Sequence, residues 1–336
     1  MELLELLRPH LAFSGDADLS PGELLVGAGD DAAAWLPPGG AAVLVTTDSL
    51  VEAVHFVSPQ DAEASRDLGW KLLAISLSDL AAMGATPGPA FISLALPPAW
   101  PVARLVDIYE GLSQCGARFG ARLAGGNMSA AAEAVLTSTC VGSAEPSKML
   151  RRSGAEAGWA LAVTGSLGAA AAGVRLVQGA LTDTEHGPGW MHRLRRPEPR
   201  LSAADQLVED GIRVAIDISD GLFIDAARLL GREAGAGAVG GPSGLVIDEV
   251  AIPVADGVRA AWPETWLELV GGGEDYELLF AGELNRVART CERLAAAQVP
   301  ASVIGVFDEG DGVRVRRDGG QVLPPPVGYQ HFGAGV

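Results

Sequence analysis

Residues 61–83, DAEASRDLGWKLLAISLSDLAAM, predict a helix that carries an acid on its apolar face. Leu68, Leu72 and Ile75 recur at helical spacing and form one stripe. Asp79 follows Leu72 by seven residues and Ile75 by four, so it shares that stripe. Because a buried carboxylate is costly unless it is paired or bound to metal, we expect Asp79 to have a function. The alternatives are a cap at the helix end and a structural partner for an arginine.

Two adjacent acids precede this helix in the stretch LVGAGDDAAAW, residues 25–35. Asp30 and Asp31 lie there in a glycine-flanked turn between apolar residues. Two unit charges about 4 Å apart repel by about 4 kcal/mol near a protein surface, so the pair needs a cation or full solvation. Considered alone, the stretch is better explained as an Asp-rich surface turn.

A third acid, Asp48, follows the β-rich run that begins at Ala41. It lies at the predicted C-terminal end of a strand, where α/β proteins tend to bind ligands. Thr46 and Thr47 add two oxygen donors beside it. A turn-initiating aspartate is the alternative, and the threonines favour a ligand site only modestly.

The second half of the chain repeats this pattern at another strand end. In AIDISDG, Asp217 points to the opposite side of a predicted strand from Ile216 and Ile218. Asp220, three residues later, could bind a ligand or cap the helix that follows.

The glycine loop GGGEDYEL adds Glu274, Asp275 and Glu277. Any one of these acids could belong to a surface turn, but acids recur at strand ends and glycine loops in both halves. Such hard oxygen ligands suit Mg²⁺, which binds phosphates through a few carboxylates and retained waters. His55 stands alone in an apolar context and is expected in the core. For Arg152, a phosphate contact and an interdomain salt bridge fit equally well.

The predicted architecture is α/β or α+β with two domains. The apolar pattern breaks at residues 145–158, EPSKMLRRSGAEAG, so we place the N-terminal domain at 1–145 and the C-terminal domain at 146–336. Residues 1–8 predict a short amphipathic helix, and residues 179–200 look like a loop. Strands and helices alternate elsewhere, with strands expected at 91–97 and 134–144, at the start of the run 214–230 before a helix, and after the glycine loop GGGEDYEL, and with a second long helix at 104–119.

Composition excludes several classes of partner. The chain has 336 residues, 48% of them hydrophobic, and a net charge of −18, which disfavours binding to nucleic acid or an anionic membrane. Lys71 and Lys148 are the only lysines, and no GxxxxGK[ST] motif occurs, so a P-loop is excluded. The three cysteines form no CxxC pair, which favours a reducing compartment. The first residues, MELLELLRPH, do not resemble a signal peptide, so we expect a cytoplasmic protein.

Eight sequence blocks occur in an order that resembles the thiamine-monophosphate kinase family. They are GDDAA, TTDSLVEAVHF, GWKLLAISLSDLAAMGATP, the glycine–glycine loop at Gly125, RSGAEAG, DISDGL, GGEDYELLF and GYQHF, and they span Gly29 to Phe332. The family belongs to the ATP-binding superfamily of aminoimidazole ribonucleotide synthetase and selenophosphate synthetase. The resemblance implies a two-domain fold in which the N-terminal sheet domain forms a homodimer and the C-terminal α/β domain completes the active site.

The same resemblance implies ATP-dependent phosphorylation of thiamine monophosphate to thiamine diphosphate with several Mg²⁺ ions. It also implies roles for individual residues. The metal ligands would be Asp31, Thr46, Thr47, Asp48, Asp79, Asn127 and Asp217, with Asp30 close by and Asp220 joining the cluster. Of these, Asp48, Asp79, Asp217 and Asp220 would be catalytic. The nucleotide would contact Tyr109, Gly126, Asn127, Arg152 and Ser219, and thiamine phosphate would contact His55, Glu274 and Tyr329.

One residue departs from the family pattern. Where the family commonly has GGD, this chain has Gly125, Gly126 and Asn127. An amide keeps one oxygen ligand but loses the charge, so we expect an active enzyme with a raised metal requirement. Two alternatives remain open: a superfamily enzyme with another acceptor, and a paralogue that binds nucleotide or thiamine phosphates without turnover.

Overall fold

The computed structural model describes residues 24–27, 29–37, 40–180, 185–231 and 241–326. The predicted helix at residues 1–8 and the GYQHF segment with Tyr329 lie outside these residues. Within them, no helix combines the length and the apolar character that crossing a membrane requires.

A six-stranded sheet dominates the first half, in the order β1-β2-β3-β6-β4-β5. Neighbouring strands are antiparallel except β4 and β5, which run parallel. Along β3, β4 and β6 the residues alternate between a buried and a more exposed face, as a sheet covered on one side requires. The strands are β1 (Leu24–Val26), β2 (Ala33–Trp35), β3 (Ala42–Val51), β4 (Thr86–Leu96), β5 (Arg122–Ala130) and β6 (Val135–Ala144).

Two long helices pack together with the first sheet, α1 (Ala62–Ala82) and α2 (Val102–Phe119). The Asp61 carboxylate caps α1 by accepting the Ala64 N–H at 2.8 Å. The two helices meet through glycine. A Cβ atom on Gly69 would lie 1.9 Å from the main-chain oxygen of Ile108, so no larger residue fits this contact.

The second half contains a seven-stranded sheet in the order β13-β12-β9-β11-β7-β10-β8. Its pairs are antiparallel except β12 with β9. The strands are β7 (Ala160–Thr164), β8 (Val214–Asp217), β9 (Gly244–Asp248), β10 (Leu278–Gly282), β11 (Ala301–Asp308), β12 (Gly312–Arg316) and β13 (Val322–Leu323). The helices are α3 (Ala169–Val177), α4 (Gly187–Arg195), α5 (Leu201–Glu209), α6 (Leu222–Arg228), α7 (Val258–Ala261), α8 (Trp266–Val270) and α9 (Leu284–Ala296).

Helix α1 joins the two halves. Its last buried residues, Ala81 and Ala82, pack in a cluster with residues of β7, β8 and β10. In the other direction, Tyr276 from the second half packs into the core of the first. The predicted domain boundary falls between the last strand of the first sheet and the first strand of the second, and it stays a prediction.

The structure corrects three local predictions. The stretch 179–200 is not simply a loop, because it contains α4, which has a proline in its first turn and buries Trp190. The glycine pair at Gly125 lies inside strand β5, where pairing with β4 overrides its loop-like composition. Strand β4 begins at Thr86, five residues before the predicted start at 91.

Candidate active site

Three aspartates from distant parts of the chain meet at one point. Asp31, Asp79 and Asp217 each contribute a carboxylate oxygen, and these three oxygens lie within 4.8 Å of one another. Asp31 belongs to the turn between β1 and β2, Asp79 to the last turn of α1, and Asp217 to the end of β8. The fold therefore brings acids of both halves together, as the sequence predicted.

The Asp30–Asp31 turn is held by an arginine from the segment between the two sheets. The Arg152 guanidinium donates to Asp31 Oδ1 at 2.5 Å, and the Arg152 main-chain N–H lies 3.3 Å from both carboxylate oxygens of Asp30. Asp30 also accepts the N–H of Asp31 at 3.0 Å. Burial and the adjacent Asp31 raise the pKa of Asp30 to about 7. Arg152 thus forms the salt bridge that the sequence left open, and its guanidinium lies beside the three aspartates.

Strand β3 brings Thr46 and Asp48 to the same buried face. The Thr46 hydroxyl donates a hydrogen bond to Asp79, and Asp48 Oδ2 accepts a hydrogen bond from Ser76 Oγ at 2.8 Å. Burial raises the pKa of Asp48, although its hydrogen bonds with Ser76 and Asp79 oppose the shift. Asp48 therefore lies against the three aspartates as a fourth acid.

Asp217 is 1% exposed and ends β8 beside α1. Its Oδ2 atom accepts a hydrogen bond from Ser78 Oγ at 2.6 Å. Its Oδ1 atom has no hydrogen-bond partner among the described residues, and neither has Asp31 Oδ2. Two buried carboxylate oxygens without partners are rare, and each calls for an explanation such as an ion.

The electrostatics favour a bound cation at this point. Burial is the main cause of the raised pKa values of Asp79 and Asp217, and neighbouring aspartates raise both further. A divalent cation would offset this repulsion and supply partners for the two unpaired oxygens. Carboxylates and a hydroxyl are also the hard oxygen donors that Mg²⁺ prefers. The donor set of these residues fits such an ion.

Thr47 and Asn127 lie on the other face of the first sheet. The Thr47 hydroxyl is 3.1 Å from both Thr139 Oγ1 and Ser138 O, so the Thr47 side chain cannot join the three aspartates. Asn127 pairs with Ser93 in edge strand β5, three strands from β3 and therefore about 14 Å away. Within one chain, the Asn127 side chain cannot ligate an ion held by the three aspartates. This geometry corrects the expectation of a single shared metal cluster.

The close packing of β5 against β4 leaves no room for a side chain at Gly126. Its φ is +154°, and a Cβ atom there would lie 1.8 Å from the main-chain oxygen of Ile92. Tyr109, the other predicted nucleotide contact nearby, is half-buried on α2 and packs against the first core. The roles of Gly126 and Tyr109 toward a nucleotide stay predictions.

Asp220 and Ser219 form the loop that follows Asp217. Asp220 pairs with Arg228 at 2.6 Å. Asp220 does not occupy the capping position of α6, which is Gly221, and the Asp225 side chain accepts the N–H groups of Asp220 and Gly221, each at 3.0 Å. Asp220 itself stays half-buried beside this helix.

The three acids of GGGEDYEL have three different environments. Glu274 pairs with the buried Lys71 of α1 at 2.7 Å. Asp275 accepts the Gly168 N–H at 2.8 Å at the start of α3. Glu277 is fully buried and forms a hydrogen-bonded ion pair with Arg200. Only Glu274 is partly exposed, with 24% of its side chain accessible, which suits the substrate contact predicted for it.

His55 lies in the turn after β3 and is half-buried, so the expectation of a core histidine is wrong. Its Nδ1 atom accepts the Val51 N–H at 3.0 Å, which fixes the ring at this end of the strand.

Sequence reasoning missed four residues that shape the site: Lys71, Ser76, Ser78 and Tyr276. Tyr276 is buried and has a positive φ of 50°, and the acids around it add to the burial that raises its pKa. The serines had a visible signal, because two hydroxyl residues interrupt the apolar run AISLSDL of a helix expected to be buried.

Comparisons with known proteins show the family to which the chain belongs. A family model described as AIR synthase related protein, N-terminal domain, matches residues 29–144. The chain is 32% identical to a thiamine-monophosphate kinase of Bacillus subtilis (strain 168) over 318 residues, 91% of this chain and 93% of that protein. It is 34% identical to the one of Escherichia coli (strain K12) over 316 residues, 91% and 92% of the two chains.

Solved structures resemble the whole chain. The structure described as AaThiL complexed with AMPPCP and TMP superposes with a TM-score of 0.79 at 27% identity and covers 98% of this chain and 96% of its own. A thiamine-monophosphate kinase of Stenotrophomonas maltophilia K279a gives a TM-score of 0.73 at 30% identity, with 93% and 95% covered. The predicted α/β fold of the aminoimidazole ribonucleotide synthetase type is thereby confirmed.

Proposed function

Since the chain belongs to the thiamine-monophosphate kinase family, we propose that it transfers the γ-phosphoryl group of ATP to the phosphate of thiamine monophosphate. The products would be ADP and thiamine diphosphate. A kinase is supported by curated relatives that match nine-tenths of the chain and by a structure whose description includes an ATP analogue and TMP. The observation that carries the proposal is the meeting of Asp31, Asp79 and Asp217 in a buried, strongly acidic site.

Phosphoryl transfer depends mainly on neutralising the negative charge of the phosphates, and it needs no covalent intermediate with the protein. The acceptor is an ionised phosphate, so it needs no strong general base to become a nucleophile. When bound, Mg²⁺ would neutralise phosphate charge and align an in-line displacement. We propose that Asp31, Thr46, Asp48, Asp79 and Asp217 hold such ions. Asp30 and Asp220 would be outer members of the site.

The remaining predicted residues would orient the two substrates. Arg152, already beside Asp31, would offer positive charge to the nucleotide phosphates, with Tyr109, Gly126, Asn127 and Ser219 as further nucleotide contacts. His55, Glu274 and Tyr329 would contact thiamine monophosphate. Glu274 would meet the cationic thiazolium ring of that substrate, because its side chain, although paired with Lys71, is 24% exposed at the edge of an acidic site.

We also propose a homodimer formed through the first sheet. Strand β5 ends that sheet, and most of its residues are exposed. Phe91 and Met128 on β4 and β5 are 42% and 53% exposed, which is unusual for large apolar side chains beside an open sheet edge. Light scattering should give the mass of two chains; the mass of one chain would contradict this part of the proposal.

Product analysis tests the activity directly. Purified protein with ATP, Mg²⁺ and thiamine monophosphate should form thiamine diphosphate, and the Asp48→Asn variant should lose about 100-fold or more in rate, because a charged ligand of the ion that would stabilise the reacting phosphates is lost. Asp107→Asn, a change in an acid paired with Arg66 on the helix surface, serves as the control. Wild-type protein that forms no product even at high Mg²⁺ would overturn the proposed activity.

A further inference from the structure

Helix α1 contains two serines, Ser76 and Ser78, whose exposed fraction is 0%. Buried hydroxyl groups need hydrogen-bond partners. Here both hydroxyls donate to carboxylates outside the helix: Ser76 to Asp48 at 2.8 Å and Ser78 to Asp217 at 2.6 Å. Both acceptors belong to the acidic site, and neither serine is among the metal or substrate ligands assigned above.

Each serine engages only one oxygen of its carboxylate. Ser78 binds Asp217 Oδ2, and the other oxygen, Oδ1, has no partner among the described residues. A carboxylate held by one oxygen has a fixed orientation, so its second oxygen is presented in one direction. The Asp217 carboxylate has an oxygen within 4.8 Å of carboxylate oxygens of Asp31 and Asp79.

We propose that Ser76 and Ser78 are positioning residues that each hold one oxygen of an aspartate and so orient that carboxylate for a divalent cation. We expect the larger effect at Ser78, because its hydrogen bond connects α1 in the first half of the chain to Asp217 at the end of β8 in the second half. Ser76 is itself fixed by Ser138, whose Oγ lies 2.6 Å away. The proposal rests on the metal-binding part of the proposed function.

The expected effect is a weaker cation site in a protein that still folds. Loss of a hydrogen bond to a metal-ligating carboxylate typically weakens metal affinity about 10- to 100-fold. Ser78→Ala removes the hydroxyl without adding volume, so the helix can keep its packing. Ser65→Ala is the matched control: Ser65 lies on the same helix at 2% exposure, but its hydroxyl donates to the main-chain oxygen of Asp61.

The experiment is a Mn²⁺ titration of the full-length protein followed by electron paramagnetic resonance of the free ion, without nucleotide. Ser78→Ala and Ser76→Ala should each bind Mn²⁺ about 10-fold or more weakly than wild type, and Ser65→Ala should match wild type. In the kinase assay, Ser78→Ala should need more Mg²⁺ for half-maximal rate while kcat recovers at saturating Mg²⁺. A merely structural defect would lower kcat at every Mg²⁺ concentration.

Three outcomes would overturn the proposal. If both serine variants bind Mn²⁺ as wild type does, the positioning role is refuted and the proposed kinase activity is untouched. If wild-type protein binds no Mn²⁺, the metal site and the positioning role are both refuted. If Ser78→Ala fails to fold, Ser78→Cys replaces it, because a thiol of similar shape is a weaker donor and should give an intermediate affinity; wild-type affinity in Ser78→Cys and Ser76→Ala would then refute the role.

Discussion

At the scale of single residues, Asp79 is a position where the charge proposed for metal binding destabilises the metal-free fold. It lies on an apolar helix against three other acids, and its carboxylate accepts a hydrogen bond from the Thr46 hydroxyl. Burial and like charges raise its pKa, which means that the ionised form destabilises the metal-free protein. Sequence periodicity identified this residue, because an acid on a stripe with Leu72 and Ile75 is anomalous without any knowledge of its partners.

We therefore predict that Asp79→Asn stabilises the metal-free protein and abolishes its activity. The amide removes one of several repelling charges but keeps an oxygen that can accept the Thr46 hydrogen bond. In a chelator, the unfolding temperature should rise by about 2 °C or more, as measured by calorimetry. Asp107→Asn, the surface control, should change it by less. A lower unfolding temperature for Asp79→Asn would show that its charge is compensated without a cation.

At the scale of secondary-structure elements, α1 organises both the core and the site. The sequence predicted it at 61–83, and the structure has it at Ala62–Ala82. Local signals suffice here, because a capping aspartate and helical periodicity are contained in the segment. They do not suffice for β5, which has exposed residues, a glycine pair and no alternating pattern, and which exists because it pairs with β4. Helix α4 was missed because its proline and glycines resemble a loop.

The glycine contact between α1 and α2 gives a prediction at this scale. Gly69→Ala would place a Cβ atom 1.9 Å from the Ile108 oxygen and push the two helices apart. We expect a loss of about 1–3 kcal/mol in the free energy of unfolding, measured by denaturant titration.

Gly189→Ala in α4 is the matched control, because no atom lies within 4 Å of its Cβ position. This control should be neutral or slightly stabilising, since alanine is the better helix former. Equal stability of Gly69→Ala and wild type would mean that the helices are not in such close contact.

At the scale of the whole molecule, the site exists only when both halves are folded together. Asp31 and Asp79 come from the first half, and Asp217 and Arg152 come from the second. The sequence predicted which acids matter, since each stands out at a strand end or on a helix stripe. It could not predict which ones share a point, because that depends on how the sheets pack. Thr47 and Asn127 illustrate this limit, since both lie on the opposite sheet face.

The buried acids also predict how stability depends on pH. Burial raises the pKa of Asp30, Asp225 and Asp275 from an ordinary 3.8 to about 7 in each case. Between these values the folded protein binds more protons than the unfolded chain, so the free energy of unfolding falls as pH rises. Arginines outweigh the burial of Glu277 and lower its pKa, so its stabilising contribution is already complete above about pH 5.

Metal-free protein should therefore melt at a lower temperature at about pH 7.5 than at about pH 5.5, and Mg²⁺ should raise the melting temperature more at the higher pH. Calorimetry at both pH values, with chelator or with Mg²⁺, measures this difference. A melting temperature that rises with pH in chelator would contradict the raised pKa values.

Anomalous diffraction from a crystal grown with Mn²⁺ and a non-hydrolysable ATP analogue tests the central claim most directly. The account predicts an anomalous peak within ligand distance, about 2–2.5 Å, of oxygens of Asp31, Asp79 and Asp217. A crystal that contains the nucleotide but has no manganese peak beside these three carboxylates would contradict it.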